Sequence, residues 1–113
     1  MMKGRIKSFK HAFVGIYEFI KCGINSKIQL VAGISVCILG FILRFSPEEW
    51  IAIFICIGLV LSLEAMNTAI EELANEVTQE KNERIRKVKD MAAGAVLIAS
   101  IISAIVASII LFV

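Results

Sequence analysis

The sequence predicts an all-α membrane protein with an N-terminal amphipathic surface helix and three transmembrane helices. The 113-residue chain is 58% hydrophobic and has a mean hydropathy of +0.85, which is far too apolar for a small soluble core. Its length allows one domain, residues 1–113. Three stretches are apolar enough to cross a hydrocarbon core of about 30 Å, and they lie at 28–45, 50–71 and 91–113.

Residues 3–23 predict the surface helix. Its apolar side chains fall within about 100° of the helix circumference, while charged residues such as Lys7 and Lys10 lie outside that arc. The apolar set consists of Ile6, Phe9, Phe13, Ile16, Tyr17 and Ile20. A cationic amphipathic helix binds the anionic inner leaflet. This segment is therefore either a simple anchor or also a gate for lipid access.

The basic residues predict the topology. Six of the twelve Lys and Arg residues precede the first span, and five lie in the charged connector, residues 72–90. A short acidic turn, residues 46–49, joins the first two spans. The positive-inside rule places the N-terminus and the connector in the cytoplasm and the C-terminus outside. We therefore expect a multi-pass protein of the inner (cytoplasmic) membrane.

Glu64 interrupts the second span with a carboxylate. An acid at the centre of a membrane helix costs roughly 2.5–3.5 kcal/mol, so its presence indicates a functional site. At about 100° per residue, Asn67, Glu71 and Asn75 fall with Glu64 on one stripe roughly 80° wide. On the predicted topology this stripe meets the cytoplasmic side, where nucleotides are available.

Lys89 and Asp90 stand at the end of the connector, next to the small residues 92–95. A helix crossing there would bring Lys89 against the end of the Glu64 stripe. A lysine and two carboxylates can support phosphoryl transfer. One carboxylate accepts a hydroxyl proton, the other holds Mg²⁺ on the phosphates, and the lysine neutralises phosphate charge.

The third span carries small residues every four positions, namely Ser100, Ala104 and Ser108. Small residues let transmembrane helices approach closely. Three short helices cannot enclose a site alone, so we expect self-association, although packing within one chain would also explain the pattern. The three cysteines match no metal-binding motif. Separately, we expect no nucleic-acid partner.

Two sequence blocks together resemble the prokaryotic membrane-integral diacylglycerol kinase family, which includes the undecaprenol kinases. They are residues 64–72, EAMNTAIEE, and residues 89–97, KDMAAGAVL. The resemblance covers nearly the whole chain. It implies a homotrimer with composite sites between protomers, and phosphorylation of a membrane lipid hydroxyl, on undecaprenol or diacylglycerol, with ATP and Mg²⁺.

The resemblance also implies roles for individual residues. Glu64 matches the general base, and Asn67 matches the active-site residue beside it. Glu71 matches a metal ligand. The residues implied in nucleotide binding are Glu71, Glu80, Lys89 and Asp90.

Several positions depart from the family pattern. Gly23 stands where a second metal-binding glutamate is expected, and Asn75 stands where the family has Asp. Lys27 and Gln29 replace an Arg and a His, and Asn82 replaces a frequent His.

Three hypotheses therefore remain open. The first is an active lipid kinase. The second is a catalytically weakened or inactive paralogue that binds lipid or nucleotide. The third, if the resemblance misleads, is a small oligomeric cation-conducting protein lined by Glu64.

Overall fold

The computed structural model describes residues 2–113, which form four helices without a strand in that range. The helices are α1 (Met2–Cys22), α2 (Ile24–Leu43), α3 (Pro47–Val77) and α4 (Glu83–Phe112). The last three are each long and apolar enough to cross a membrane. The predicted all-helical fold, with three helices able to span a membrane, is therefore confirmed.

Helix α1 contacts α2 and α3 only lightly, and none of its described side chains is buried. Its large apolar residues remain accessible in the single chain; Phe9 and Phe13, for example, are 68% and 70% exposed. Such a helix needs an apolar surface outside the chain to cover it. Its position on the membrane surface stays a prediction.

Gly23 separates α1 from α2 and has an extended backbone, with φ −123° and ψ 135°. Ser26, in the first turn of α2, is 1% exposed. Its hydroxyl donates to the carbonyl oxygen of Gly23 at 2.8 Å and lies 3.4 Å from that of Ile20. One buried serine therefore ties the end of α1 to the start of α2.

The turn between α2 and α3 is built from local capping contacts. Arg44 ends α2 in the left-handed region, with φ 57°. The Ser46 hydroxyl accepts from the Glu49 N–H at 3.2 Å, and the Glu49 carboxylate accepts from the Ser46 N–H at 2.8 Å. This capping box starts α3 at Pro47. The acidic residues of the expected turn thus belong to the first turn of α3.

Trp50 is the centre of an aromatic cluster at this turn. Its ring lies 5.2 Å from Phe41, 5.5 Å from Phe45 and 5.4 Å from Phe54, measured between centroids. The buried Gly40 makes this packing possible, because a β-carbon there would lie 2.8 Å from Trp50 and 2.7 Å from Phe45. Tryptophan anchors helices at membrane interfaces, so the cluster defines one end of the spanning hairpin.

Helices α3 and α4 form the main packed pair. The buried apolar residues are Ile53, Val60, Ala74, Val96 and Ala99. Helix α3 has 31 residues, or about 46 Å at a rise of 1.5 Å per residue, against a hydrocarbon core of about 30 Å. It therefore continues past the expected span, and most of the connector 72–90 is helical. Residues 78–82 join the two helices, and the Asn82 side chain caps α4.

Candidate functional site

Glu64 is 6% exposed and is the only buried charged side chain among residues 2–113. It lies near the middle of α3. The neighbouring Thr68 hydroxyl donates to the Glu64 backbone carbonyl at 2.9 Å. The Thr68 hydroxyl is therefore used by the backbone, and the structure shows no hydrogen bond from it to the Glu64 carboxylate.

Asn67 lies one helical turn from Glu64, and its two amide atoms have different partners. The Nδ2 atom donates to the Glu71 carboxylate at 3.3 Å. The Oδ1 atom is buried and has no hydrogen-bond partner in the described chain. Rotating the amide by 180° would bring two acceptors together, so the contact with Glu71 determines its orientation. A buried acceptor left unpaired costs about 1–3 kcal/mol, which makes Oδ1 a position for a hydrogen-bond donor from outside the chain.

Glu71 is exposed and lies on the predicted stripe, seven residues after Glu64. Within residues 2–113, no cluster of three His, Cys, Asp or Glu side chains could hold a metal ion. Mg²⁺ does not require such a cluster, because it commonly binds one or two carboxylates together with substrate phosphates and water. Glu71, held by the Asn67 amide, therefore fits Mg²⁺ as the single protein carboxylate of a nucleotide complex.

Lys89 reaches from α4 to the end of the stripe on α3. Its Nζ atom donates to the Asn75 Oδ1 atom at 2.7 Å. Lys89 is half-buried, whereas Asn75 is exposed. The helix crossing that the sequence predicts at this point is therefore present.

A polar groove of about 700 Å³ opens beside this contact, between the end of α3 and the start of α4. Glu80 and Lys89 both line it, so two of the expected nucleotide-binding residues share one surface. The full lining consists of Asn75, Thr78, Gln79, Glu80, Lys81, Asn82, Glu83, Ile85, Arg86 and Lys89. Its size and polarity suit a charged small molecule.

Asp90 is exposed and does not line the groove; its carboxylate accepts from Arg86 at 2.8 Å instead. Arg86 also binds the Glu83 carboxylate at 2.9 Å and itself lines the groove. Sequence reasoning missed Arg86 as a member of the site. Its spacing of four residues from Asp90 on a helix was the available signal.

The expected site residues thus fall into two groups. Glu64, Asn67 and Glu71 follow one another along α3, and the second group, Glu80 with Lys89, lies in the groove. Asp90 is connected to the groove through Arg86.

Comparison with known proteins places the whole site within one family match. The model described as prokaryotic diacylglycerol kinase matches residues 10–111. The chain is similar to an undecaprenol kinase of Bacillus subtilis, at 40% identity over 100 residues, which are 88% of this chain and 81% of that protein. It is also similar to a diacylglycerol kinase of Synechocystis sp., at 32% identity over 100 residues, which are 88% of this chain and 57% of that protein.

Proposed function

The chain belongs to the prokaryotic diacylglycerol kinase family, and from that premise we propose that it transfers the γ-phosphoryl group of ATP to a membrane lipid hydroxyl. One observation carries the proposal. The buried Glu64 lies one turn from the Asn67 Oδ1 atom, which has no hydrogen-bond partner among the described residues, and Asn75 near the end of the same helix accepts a hydrogen bond from Lys89. Undecaprenol and diacylglycerol are the candidate acceptors. The relative at 40% identity is named an undecaprenol kinase, so undecaprenol is the first lipid to test.

In the proposed reaction, the lipid hydroxyl lies beside Glu64. The carboxylate accepts the hydroxyl proton while the lipid oxygen forms a bond to the γ-phosphorus. The bond from that phosphorus to the bridging oxygen of ADP breaks, and ADP leaves. Asn67 links this step to the nucleotide, because its Nδ2 atom holds Glu71 and its Oδ1 atom is free to accept a hydrogen bond.

The groove is the proposed nucleotide site, with Lys89 beside the phosphates. The lysine ammonium offsets their negative charge, Glu80 contacts the nucleotide, and Asp90 supports the site through Arg86. Glu71 would hold Mg²⁺ on the phosphate oxygens. When bound there, Mg²⁺ withdraws electron density from the transferring group and helps to align it.

We also propose a homotrimer with composite sites in the cytoplasmic membrane. Glu71, Glu80 and Asp90 are exposed in a single chain, so a second protomer could enclose them. The small-residue face of α4 supports close helix packing. Its Ser108 hydroxyl already donates to the Ala104 carbonyl at 2.8 Å, so it can face another helix without an unpaired donor.

The proposed orientation places the N-terminus and the groove in the cytoplasm and the C-terminus outside, with α1 on the inner leaflet. The charge distribution supports this orientation. Native mass measurement of the detergent-solubilised protein tests the trimer, and a monomeric mass would reject it.

The function is tested by phosphate transfer from labelled ATP to a panel of lipids in detergent micelles. We expect Mg²⁺-dependent labelling of undecaprenol or diacylglycerol. Nucleotide binding without labelling of any lipid would instead support the non-catalytic hypothesis. The Lys89–Asn75 contact counts against the pore hypothesis, because a cation-conducting pore has no need of a lysine held at this position.

A further inference from the structure

The contact between Lys89 and Asn75 is the only side-chain hydrogen bond that joins α3 to α4 within residues 2–113. We propose that Asn75 is a positioning residue that holds the Lys89 ammonium in the groove without neutralising its charge. The full positive charge then remains available to the phosphates of a nucleotide. This inference rests on the proposed function of the groove and concerns how the Lys89 ammonium is positioned to bind phosphate.

The geometry supports a positioning role. Lysine has a long, flexible side chain, and the 2.7 Å hydrogen bond holds its end against the neighbouring helix. An ammonium group has three donors. One donor is directed to the Asn75 oxygen, which leaves two for phosphate oxygens. Both residues line the groove, so the held ammonium lies at the surface that the nucleotide would contact.

The two cations contributed by α4 to this groove are held in different ways. Arg86 contacts two carboxylates, those of Glu83 and Asp90, at 2.9 and 2.8 Å. In the described part of the chain Lys89 forms no ion pair, and its partner is the uncharged amide of Asn75. A phosphate that approaches Lys89 therefore does not have to displace a protein carboxylate. The contrast identifies Lys89 as the uncompensated cation of the two.

The substitution Asn75→Asp separates charge from position. Aspartate has nearly the same shape and can accept the same hydrogen bond, but it adds a negative charge next to the ammonium. ATP without metal carries about twice the negative charge of its magnesium complex, and the electrostatic free energy is proportional to that charge. We expect the Kd to rise about threefold for the magnesium complex and about tenfold for metal-free ATP, on the scale of an exposed ion pair.

The experiment measures binding of a fluorescent ATP analogue to the full-length protein in detergent micelles, once with Mg²⁺ and once with EDTA. Asn75→Ala releases the lysine without adding charge. Its cost is the entropy of ordering the free side chain again on binding, which does not depend on the charge of the ligand, so both forms should weaken by the same factor. Asn82→Asp is the matched control. Asn82 lines the same groove and caps α4 through Oδ1, and aspartate caps a helix equally well. Its effect should be smaller than that of Asn75→Asp.

For each variant, the change in Kd with Mg²⁺ is compared with the change in Kd with EDTA on the same sample. Partial loss of folded protein affects both measurements alike and does not alter their ratio. If Asn75→Asp weakens both nucleotide forms equally, or weakens neither, the inference is overturned. Lys89→Ala separates this failure from that of the proposed function. If Lys89→Ala leaves ATP binding unchanged, the nucleotide site itself is wrong. If Lys89→Ala reduces binding while Asn75→Asp does not, only the role of Asn75 is wrong.

Discussion

The substitution Glu64→Gln tests the proposed general base directly. Glutamine keeps the shape of the side chain but cannot act as a base. Because Glu64 is only 6% exposed, little water can reach the site to accept the proton instead. The next carboxylate on the stripe, Glu71, is seven residues away, about 10.5 Å along the helix at 1.5 Å per residue. It cannot reach the proton of a hydroxyl bound at Glu64. Turnover should therefore fall by about 10² or more, the usual contribution of a general base, which corresponds to about 2.7 kcal/mol.

The assay is phosphate transfer from labelled ATP to undecaprenol and diacylglycerol, with native mass measured in parallel to verify that the oligomer is intact. Glu76→Gln is the matched control, because Glu76 is an exposed carboxylate on the same helix and outside the stripe. It should retain turnover within about twofold, as expected for a surface substitution. Undiminished turnover in Glu64→Gln would refute the assignment, and equal losses in both variants would show that the effect is not specific to Glu64.

Three further predictions concern the metal, the α1–α2 junction and the turn between α2 and α3. Glu71→Ala should abolish metal-dependent nucleotide binding and Lys89→Ala should weaken it; unchanged binding in both variants would place the nucleotide elsewhere. Gly23→Glu should lower the Mg²⁺ concentration at half-maximal activity, because the family resemblance implies a second metal-binding glutamate at this position; an unchanged requirement would mean that another residue supplies that ligand. Gly40→Ala should destabilise the fold by about 1–3 kcal/mol through overpacking, measured by denaturant unfolding, whereas Gly58→Ala, whose β-carbon meets nothing within 4 Å, should not.

The fold class could be predicted because apolar run length alone distinguishes membrane helices from soluble ones. Helix ends were harder. Ser46 and Glu49 carry the sequence signature of a capping box. Judged by charge alone, however, residues 46–49 resemble a turn, although α3 already begins at Pro47. The end of α3 at Val77 was also hidden, because a charged segment outside the membrane can be either helix or coil.

Part of the site was predictable from helical periodicity. The spacing of Glu64, Asn67 and Glu71 defines one face of any α-helix, and the crossing at Lys89 followed from the small residues beside it. The choice of partners was not predictable. Whether Arg86 binds Asp90 or a different acid depends on side-chain positions. The same is true of whether the Asn67 Oδ1 atom finds a partner. The sequence alone showed Asn75 only as the replacement of an expected acid. The structure shows that its side chain accepts a hydrogen bond from Lys89, which the sequence could not indicate.

The length and continuity of α3 have a consequence for how the protein would respond to its membrane. Trp50 anchors one end of the helix at an interface, and Glu64 lies fourteen residues further, about 21 Å along the axis. On the proposed orientation, with α3 untilted in a hydrocarbon core of about 30 Å, Glu64 would lie roughly 9 Å below the opposite boundary. Because a rigid helix cannot change its length, hydrophobic mismatch must be absorbed by tilt or by local thinning of the bilayer. Acyl-chain length in the surrounding lipid would thus change the distance between Glu64 and the hydroxyls at the membrane surface.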